Sequence, residues 1–148
     1  MDKFDLAILE ILQRDNLTPQ RVIADQVSLS PAAVQRRVAV LTKSGVIEKN
    51  VAVVDPRALG ALVTVVVEVH LVSDQSSVVR QVKAAFKAVQ QIQQCYHVTG
   101  NGGLILIMLV PDLEAYGCLA ERLFADNELV ASYRSLPVLE RVKVGLAV

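Results

Sequence analysis

The 148-residue sequence has little of what marks several special classes of protein. Its two cysteines, Cys95 and Cys118, lack C-x-x-C spacing, which argues against a disulfide framework or a zinc ribbon and fits a reducing compartment. The longest apolar run, LILIMLV at 104–110, is far too short to cross a bilayer and predicts a buried strand. The opening MDKFD lacks the features of a signal peptide. We therefore expect a cytoplasmic protein that has no membrane partner.

Motifs of common catalytic sites are also missing, since the sequence contains no nucleophile elbow, P-loop or dinucleotide fingerprint. Cys95, His97 and Thr99 alternate along one predicted strand, and His70 could join them from a neighbouring strand, which leaves a metal site open. Histidines on a sheet face more often pack or are solvated, so we expect no metal. Because the motifs named above are missing, we also expect no cofactor and no catalytic residues. The sequence predicts that the protein is not an enzyme.

The sequence does contain a large apolar fraction, 53% of its residues, beside 20% charged residues. This composition predicts a well-buried core and argues against disorder. The formal net charge is zero, so the charge of the whole molecule predicts no partner. Between residues 30 and 49, however, four Lys and Arg side chains are accompanied by a single carboxylate, Glu48. The basic excess is therefore local.

The first fifty residues have the spacing of three short helices. Apolar residues recur at helical intervals in 3–14. Thr18 and Ser30 each precede a proline, which predicts two more helices at about 19–26 and 31–43 with these hydroxyls as N-caps. Two helices joined by a tight turn after a first helix are typical of a helix-turn-helix.

The residues after the third helix predict a boundary between two domains. Gly45 is placed to end that helix as a C-cap. The segment 46–60 then has the pattern of a strand followed by a turn around Asp55 and Pro56, and we interpret it as a linker. The predicted division is a winged-like helix-turn-helix domain at 1–48, a linker strand at 49–62 and a second domain at 63–148.

From residue 63 the periodicity changes to that of strands and amphipathic helices. Val65, Val67, Val69 and Leu71 share one face of the first strand. An NGG hairpin signal separates two further strands. The predicted order is βαββαβ, so the second domain is an α+β fold of the ferredoxin-like type. Its strands are expected at 63–72, 92–100, 104–110 and 130–144, the last interrupted near Pro137, and its helices at 76–89 and 112–124.

The same patterns predict which side chains are buried in the second domain. The inward residues are expected to be Val78, Val82, Phe86 and Val89 in the first helix and Tyr116, Leu119 or Ala120, and Leu123 in the second. Two helices cover only one face of a four-stranded sheet. The other face is too apolar to remain in water, so we expect it to be buried against another copy of the chain. Its predicted residues include Thr64, Val66, Val72, Cys95 and several of 104–110.

The helix at 31–43 has an unusual outward face. Val34, Val38 and Leu41 fall on one side and should pack on the first two helices. The opposite side carries two alanines, so a bulky partner can come close. A glutamine and an arginine project beside them, and these side chains pair through two hydrogen bonds with adenine and guanine in the major groove. We therefore predict contacts to double-stranded DNA, including phosphate contacts from cationic and cap residues. The candidate DNA-binding residues are Thr18, Arg21, Ser30, Ala32, Gln35, Arg36, Arg37, Ala39 and Lys43.

Over nearly its whole length the chain resembles the Lrp/AsnC family, the feast/famine transcriptional regulators. The most specific stretch is LSPAAVQRRVAVLTKSGVI at 29–47, and DPRALG, VTGNGG, VPDLEAY and VLERVK also fit. The resemblance implies an N-terminal helix-turn-helix and a C-terminal ferredoxin-like domain for effector binding and oligomerisation. It also implies dimers formed through paired sheets, which often assemble into octamers and bind amino acids between dimers.

The sequence departs from the family pattern at the hairpin. It has GNGGL where the family typically has G-x-x-D-Y, so Gly103 takes the position of an aspartate that contacts the amino group of an effector. Backbone N–H groups of the hairpin could still hold a carboxylate, because glycine permits a close approach. The ammonium group has no side-chain partner at Gly103. The candidate effector-binding residues are Thr99, Gly100, Asn101, Gly102, Gly103 and Leu104.

The sequence thus favours a sequence-specific, dimer-based transcriptional regulator that is modulated by a small molecule such as an amino acid. Two alternatives remain open. A regulator subunit that co-assembles with related proteins and has no effector response fits the near-neutral N-terminal half. An enzyme resembling the sirohaem decarboxylases would share the two-domain plan, but CYHVTGNGGLILIML has one histidine and no tryptophan, whereas those enzymes are rich in histidine and arginine around this hairpin.

Overall fold

The computed structural model describes residues 1–60, 62–99 and 103–145, and these form two compact units. Met1–Val53, together with Val144 and Gly145, belong to the N-terminal unit, and Val54–Lys143 form the C-terminal unit. The helices are α1 Lys3–Arg14, α2 Gln20–Val27, α3 Pro31–Lys43, α4 Ser76–Lys87 and α5 Leu113–Ala120. The strands are β1 Val63–Leu71, β2 Ile92–His97, β3 Gly103–Val110 and β4 Val130–Pro137.

The three N-terminal helices begin and end mostly where local sequence signals predict. Asp2 caps α1, and its side chain accepts from the backbone N–H groups of Phe4 and Asp5. The Ser30 hydroxyl accepts from the N–H of Ala33 at 3.2 Å, which confirms the predicted N-cap of α3. Gly45 follows α3 with a φ of +79°, a left-handed conformation that glycine adopts without steric cost.

Two predictions about the N-terminal half are wrong. Thr18 does not cap α2, because the helix begins one residue later than predicted and the Thr18 hydroxyl donates to the carbonyl of Asp15 at 2.7 Å. Residues 46–54, all described, also form no strand. An extended segment becomes a strand only when a neighbouring strand completes its backbone hydrogen bonds. In the described part of the chain, no strand pairs with this segment. After it comes a short 3₁₀ turn at Pro56–Leu59.

The C-terminal unit is a four-stranded antiparallel sheet in the order β2-β3-β1-β4, and its elements follow one another as βαββαβ. This arrangement confirms the ferredoxin-like prediction. One face of the sheet packs against α4 and α5. The core between them consists of Val65, Val67, Val69, Val82, Phe86, Leu104, Leu106, Met108, Val110, Tyr116, Ala120 and Phe124.

Three details of this packing differ from the expectation. Val79 rather than Val78 is the buried valine early in α4. The helix predicted at 112–124 becomes a π-helical turn at Glu121–Ala125, which turns Phe124 into the core, whereas Leu123 is only partly buried. The last strand ends at Pro137, near the predicted interruption.

Cys95 lies on the helix-covered side of the sheet and not on the open face as predicted. It pairs with Leu106, whose side chain is in the core, whereas His70 pairs with Gly103 on the opposite face. Cys95 and His70 therefore cannot share a metal ion. Within the described ranges, no group of three His, Cys, Asp or Glu side chains is arranged to hold one.

No helix in the described part of the chain combines the length and the apolar composition that crossing a membrane requires.

Candidate nucleic-acid interface

The orientation of α3 is set first by its apolar side. Val34 is fully buried and Leu41 nearly so, and Val38 packs at the edge of the same core. The partners of Val34 and Val38 come from the other two helices and include Ile8 and Ile23. Burying this side turns the opposite side of α3 outward.

The outward side of α3 is exposed over its whole length. It presents two short side chains, one amide and two cations, and these are Ala32, Gln35, Arg36, Ala39 and Lys43. A helix with alanines beside longer polar side chains can enter a groove closely while the longer side chains reach its floor. This geometry suits recognition of the edges of bases.

The other candidate DNA contacts lie on α2 and at the helix starts. Arg21 is exposed on the first turn of α2, and Ser30 is exposed in front of α3. Thr18 is partly buried, and its hydroxyl is engaged by the Asp15 carbonyl. Ser28 forms the tight turn between α2 and α3 in a left-handed conformation with a φ of 55°.

Arg37 is held by two carboxylates at the start of α1. Its Nη1 lies 2.7 Å from Oδ1 of Asp5 and 2.9 Å from Oδ2 of Asp2, and its guanidinium carbon lies 5.5 Å from the centre of the Phe4 ring. We call Asp2, Asp5 and Arg37 the clasp. Hydrogen bonds from backbone N–H groups lower the pKa of both carboxyls, and the hydrogen bonds from Arg37 lower it further. In turn, the two carboxylates raise the pKa of Arg37.

Sequence reasoning missed the clasp. The sequence predicts Arg37 only as a DNA contact of α3, and it predicts no role for Asp2 and Asp5. The usable signal was Asp2-x-x-Asp5 in front of an apolar run, which resembles a capping box. In the structure the two carboxylates do form such a box, with the N–H of Asp2 donating to Asp5 at 2.9 Å.

A groove of about 470 Å³ lies between the start of α1 and the C-terminal half of α3. It runs along the flank of α3 next to the clasp. Its lining residues are Met1, Asp5, Arg36, Arg37, Val40, Leu41, Ser44 and Val46.

The predicted effector residues in the C-terminal unit are only partly described. Thr99 is exposed just beyond β2, and Gly103 and Leu104 begin β3 as buried residues. Gly100, Asn101 and Gly102 lie outside the described residues. A Cβ added to Gly103 would lie 3.4 Å from the Val69 carbonyl oxygen and 3.7 Å from the His70 ring. These are ordinary contact distances, so crowding does not require glycine at this position.

The open face of the sheet combines a charged pair with apolar side chains. Arg134 donates to both oxygens of Glu68, from Nε and from Nη2, each at 2.8 Å. This pairing lowers the pKa of Glu68 and raises the pKa of Arg134. By register, the apolar members of this face include Val66, Ile105, Ile107, Leu109 and Leu136.

Comparison with known proteins agrees with both halves of this description. Residues 64–148 match the Lrp/AsnC ligand binding domain, and residues 1–48 match the winged helix-turn-helix DNA-binding domain. The chain belongs to the Lrp/AsnC family. An uncharacterised HTH-type transcriptional regulator of Sinorhizobium fredii is 35% identical over the whole chain and 88% of the relative. The leucine-responsive regulatory protein of Escherichia coli K12 is 32% identical over 97% of the chain and 87% of the relative.

Solved structures give the same assignment. An AsnC family transcriptional regulator from Agrobacterium tumefaciens superposes with a TM-score of 0.90 at 28% identity, covering 100% of this chain and 96% of that one. A Neisseria meningitidis transcriptional regulator in complex with L-Met also gives 0.90, with the same coverage, but at 20% identity it shows only the shared fold. This Lrp/AsnC protein is a transcriptional regulator with a DNA-binding helix-turn-helix and a ligand-binding domain, as the sequence predicts.

Proposed function

We propose that the protein reads its operator through the outward side of α3. Gln35 and Arg36 contact base edges in the major groove, and Ala32 and Ala39 allow the helix to approach them. Phosphate contacts come from exposed cations and from the helix starts, and these residues are Thr18, Arg21, Ser30 and Lys43. The observation that carries the proposal is that this side of α3 is exposed while its opposite side is buried.

Arg37 is left out of this set, although its position in the sequence predicts a phosphate contact. Its guanidinium already has two carboxylate partners. A phosphate would have to displace them or share the cation with them.

The test is selection of bound duplexes from a random pool, followed by substitution. Arg36→Ala and Gln35→Ala should each relax the base preference at one position per half-site, at a cost of about 1–3 kcal/mol. Arg80→Ala, which removes an exposed arginine from α4, is the control and should leave the preference unchanged. If a substitution instead lowers the affinity equally for all duplexes, the substituted residue contacts phosphate and not base edges. Failure of the unaltered protein to enrich any sequence would refute the proposal.

We further propose that the active form is a homodimer, from which an octamer can be built, joined through the open face of the sheet. One recognition helix contacts too few base pairs for selectivity, and two helices related by symmetry contact twice as many. Tyr96 and Leu136 on this face are 49% and 40% exposed. Val66, Ile105 and Ile107 beside them are also incompletely buried, although they are apolar. A monomer at micromolar concentration by light scattering would contradict this proposal.

We infer that the C-terminal domain binds a small molecule such as an amino acid. The match to a ligand binding domain supports this, as does the L-Met complex of the Neisseria regulator. The proposed contacts are Thr99, Gly100, Asn101, Gly102, Gly103 and Leu104. Calorimetry across the common amino acids should find micromolar binding of at least one. If none binds, the protein is better described as a co-assembling regulator subunit without an effector response.

Two smaller inferences follow from the same proposal. The named relatives are transcriptional regulators, so we expect the protein to act by binding and not by catalysis. It should work in the cytoplasm, where it meets DNA.

A further inference from the structure

We propose that Arg37 is a positioning residue for DNA reading, and that the clasp fixes the rotation of α3 about its own axis. The inference rests on the proposed DNA-reading function of α3. Gln35 and Arg36 precede Arg37 on the same helix, so any rotation that moves Arg37 moves both of them. A clasp that fixes Arg37 therefore aims them at the bases.

The geometry of the clasp suits a rigid link between two helices. It joins residues 32 positions apart, and one guanidinium nitrogen reaches both carboxylates within 2.9 Å. The carboxylates are themselves held in place. Asp2 accepts from the N–H groups of Phe4 and Asp5, and Asp5 accepts from the N–H of Asp2, all at 2.9–3.0 Å. Ionic hydrogen bonds between oriented groups restrain direction as well as distance.

The flank of α3 beside the clasp borders an open groove. Apolar packing holds the side centred on Val34. On the Arg37 side the helix borders the groove, where Val40 is 60% exposed and Arg36 is also exposed. Apolar packing of Val34 and Leu41 sets the overall orientation of α3, and on the groove side the clasp adds a restraint that the exposed Val40 does not provide. The clasp spans that side, and the side chains of Arg37 and Asp5 are only 28% and 15% exposed.

A double variant can remove the charges of the clasp without removing the start of α1. In Asp2→Asn/Asp5→Asn, each amide oxygen can still accept the backbone N–H groups that the carboxylates accept now, and asparagine is a good N-cap. Arg37 loses both carboxylate partners, because the oxygen of each that accepts from Arg37 is replaced by an amide nitrogen. Glu10→Gln is the matched control, because it breaks an ion pair with Arg14 on the same helix that does not involve α3.

The experiment measures Kd over a series of salt concentrations, on a duplex selected by the unaltered protein and on a scrambled duplex. We expect the double variant to bind the selected duplex about tenfold more weakly, because misaligned side chains lose much of their base discrimination. Binding to the scrambled duplex should be unchanged or tighter, because two negative charges have been removed. Glu10→Gln should behave like the unaltered protein.

The opposite result identifies Arg37 as a phosphate contact. Freeing a phosphate-binding arginine from two carboxylates would tighten binding to both duplexes. Arg37→Gln would then weaken both equally and reduce the salt slope by about one. Under the positioning role, Arg37→Gln instead weakens the selected duplex more than the scrambled one and leaves the slope unchanged.

Circular dichroism checks that each variant is folded. If the double variant is not folded, Arg37→Lys takes its place, since it keeps the charge but lacks the planar fork, and it should lose selectivity to a smaller extent.

Two further outcomes are decisive. An unchanged ratio of the two affinities in all variants overturns the clasp proposal and leaves the proposed function standing. A lack of sequence preference in the unaltered protein overturns both, and is recognised before any variant is tested.

Discussion

The two units of the molecule are stabilised in different ways. The N-terminal unit has a small buried cluster, made of Ile8, Ile23, Ala24, Val27 and Val34. Side-chain caps and the clasp reinforce it at the periphery. The C-terminal unit has a larger core, in which two rows of strand residues are fully buried under α4 and α5. A small domain buries a smaller share of its surface, so individual polar contacts make up more of its stability.

This difference matters for function because the DNA-reading surface lies on the unit with the smaller core. Apolar packing holds the C-terminal sheet on its helix-covered side, and the Glu68–Arg134 ion pair lies on the opposite, open face. In the N-terminal unit, hydroxyls, carboxylates and one guanidinium hold the ends and the flank of the helices. Substitution or acid should therefore disturb the two units differently.

The largest expected effect comes from the C-terminal core. Phe86 is 1% exposed and packs edge-on against Phe124 with ring centres 5.7 Å apart. Phe86→Ala should lower the free energy of unfolding by about 3–5 kcal/mol, because it removes apolar area and leaves a cavity. Urea unfolding measures the loss. Lys87→Ala, next to it on the exposed side, is the control and should change stability by less than about 0.5 kcal/mol.

Hydrogen exchange can show whether the two units respond separately to that substitution. Peptides from β1 and β3 should lose protection in Phe86→Ala, while peptides from α2 and α3 keep theirs. Equal loss in both units would contradict the comparison, because it would show that they unfold as one.

A medium effect is expected at the caps of the N-terminal helices. Ser30→Ala should cost about 1 kcal/mol, since it leaves the N–H of Ala33 without its side-chain acceptor. Thr18→Ala should cost less than about 0.5 kcal/mol, because Thr18 does not cap α2. Urea midpoints of the two variants, measured together, test the difference. Equal losses would mean that Thr18 supports its helix after all.

The features that could be predicted from the sequence are those with local causes. The ends of α1 and α3 lie where the sequence predicts them, because a few adjacent residues decide where a helix ends. For α3 these residues are Ser30 with Pro31 at the start and Gly45 after the end. The order of strands and helices, and hence the fold, followed from periodicity. The outward side of α3 was predictable for the same reason, since only one side of that helix is apolar enough to be buried.

The features that could not be predicted depend on contacts between distant residues. Alternation along β2 does not tell which of its faces meets the helices, and the pairing of Cys95 with Leu106 decides it. Phe124 turns inward only because a π-helical turn changes the helical period. Arg37 meets the start of α1 across 32 residues, and no pattern within α3 indicates those partners.

The smallest expected effect is an acid-dependent one, and it concerns the clasp. The pKa of the Asp2 and Asp5 carboxyls is lower in the folded protein than the ordinary value of 3.8. Such groups stabilise the fold fully above the ordinary pKa, and the contribution disappears as the pH falls through their lowered values. Arg37 stays charged throughout, because its pKa is raised. The difference in urea midpoint between the unaltered protein and Asp2→Asn/Asp5→Asn should therefore be constant from about pH 7 to about pH 5 and shrink below about pH 4.

Two comparisons make this acid effect specific to the N-terminal unit. Glu68 on the open sheet face also has a lowered pKa, but it is present in both proteins and cancels in the difference. The difference between Ser30→Ala and the unaltered protein should not vary over the same range, because a serine hydroxyl does not titrate there. If the midpoint difference of the double variant were as large near pH 3 as at pH 7, the two carboxylates would not be acting through their charge. The link between α1 and α3 would then have to be explained by neutral hydrogen bonds alone.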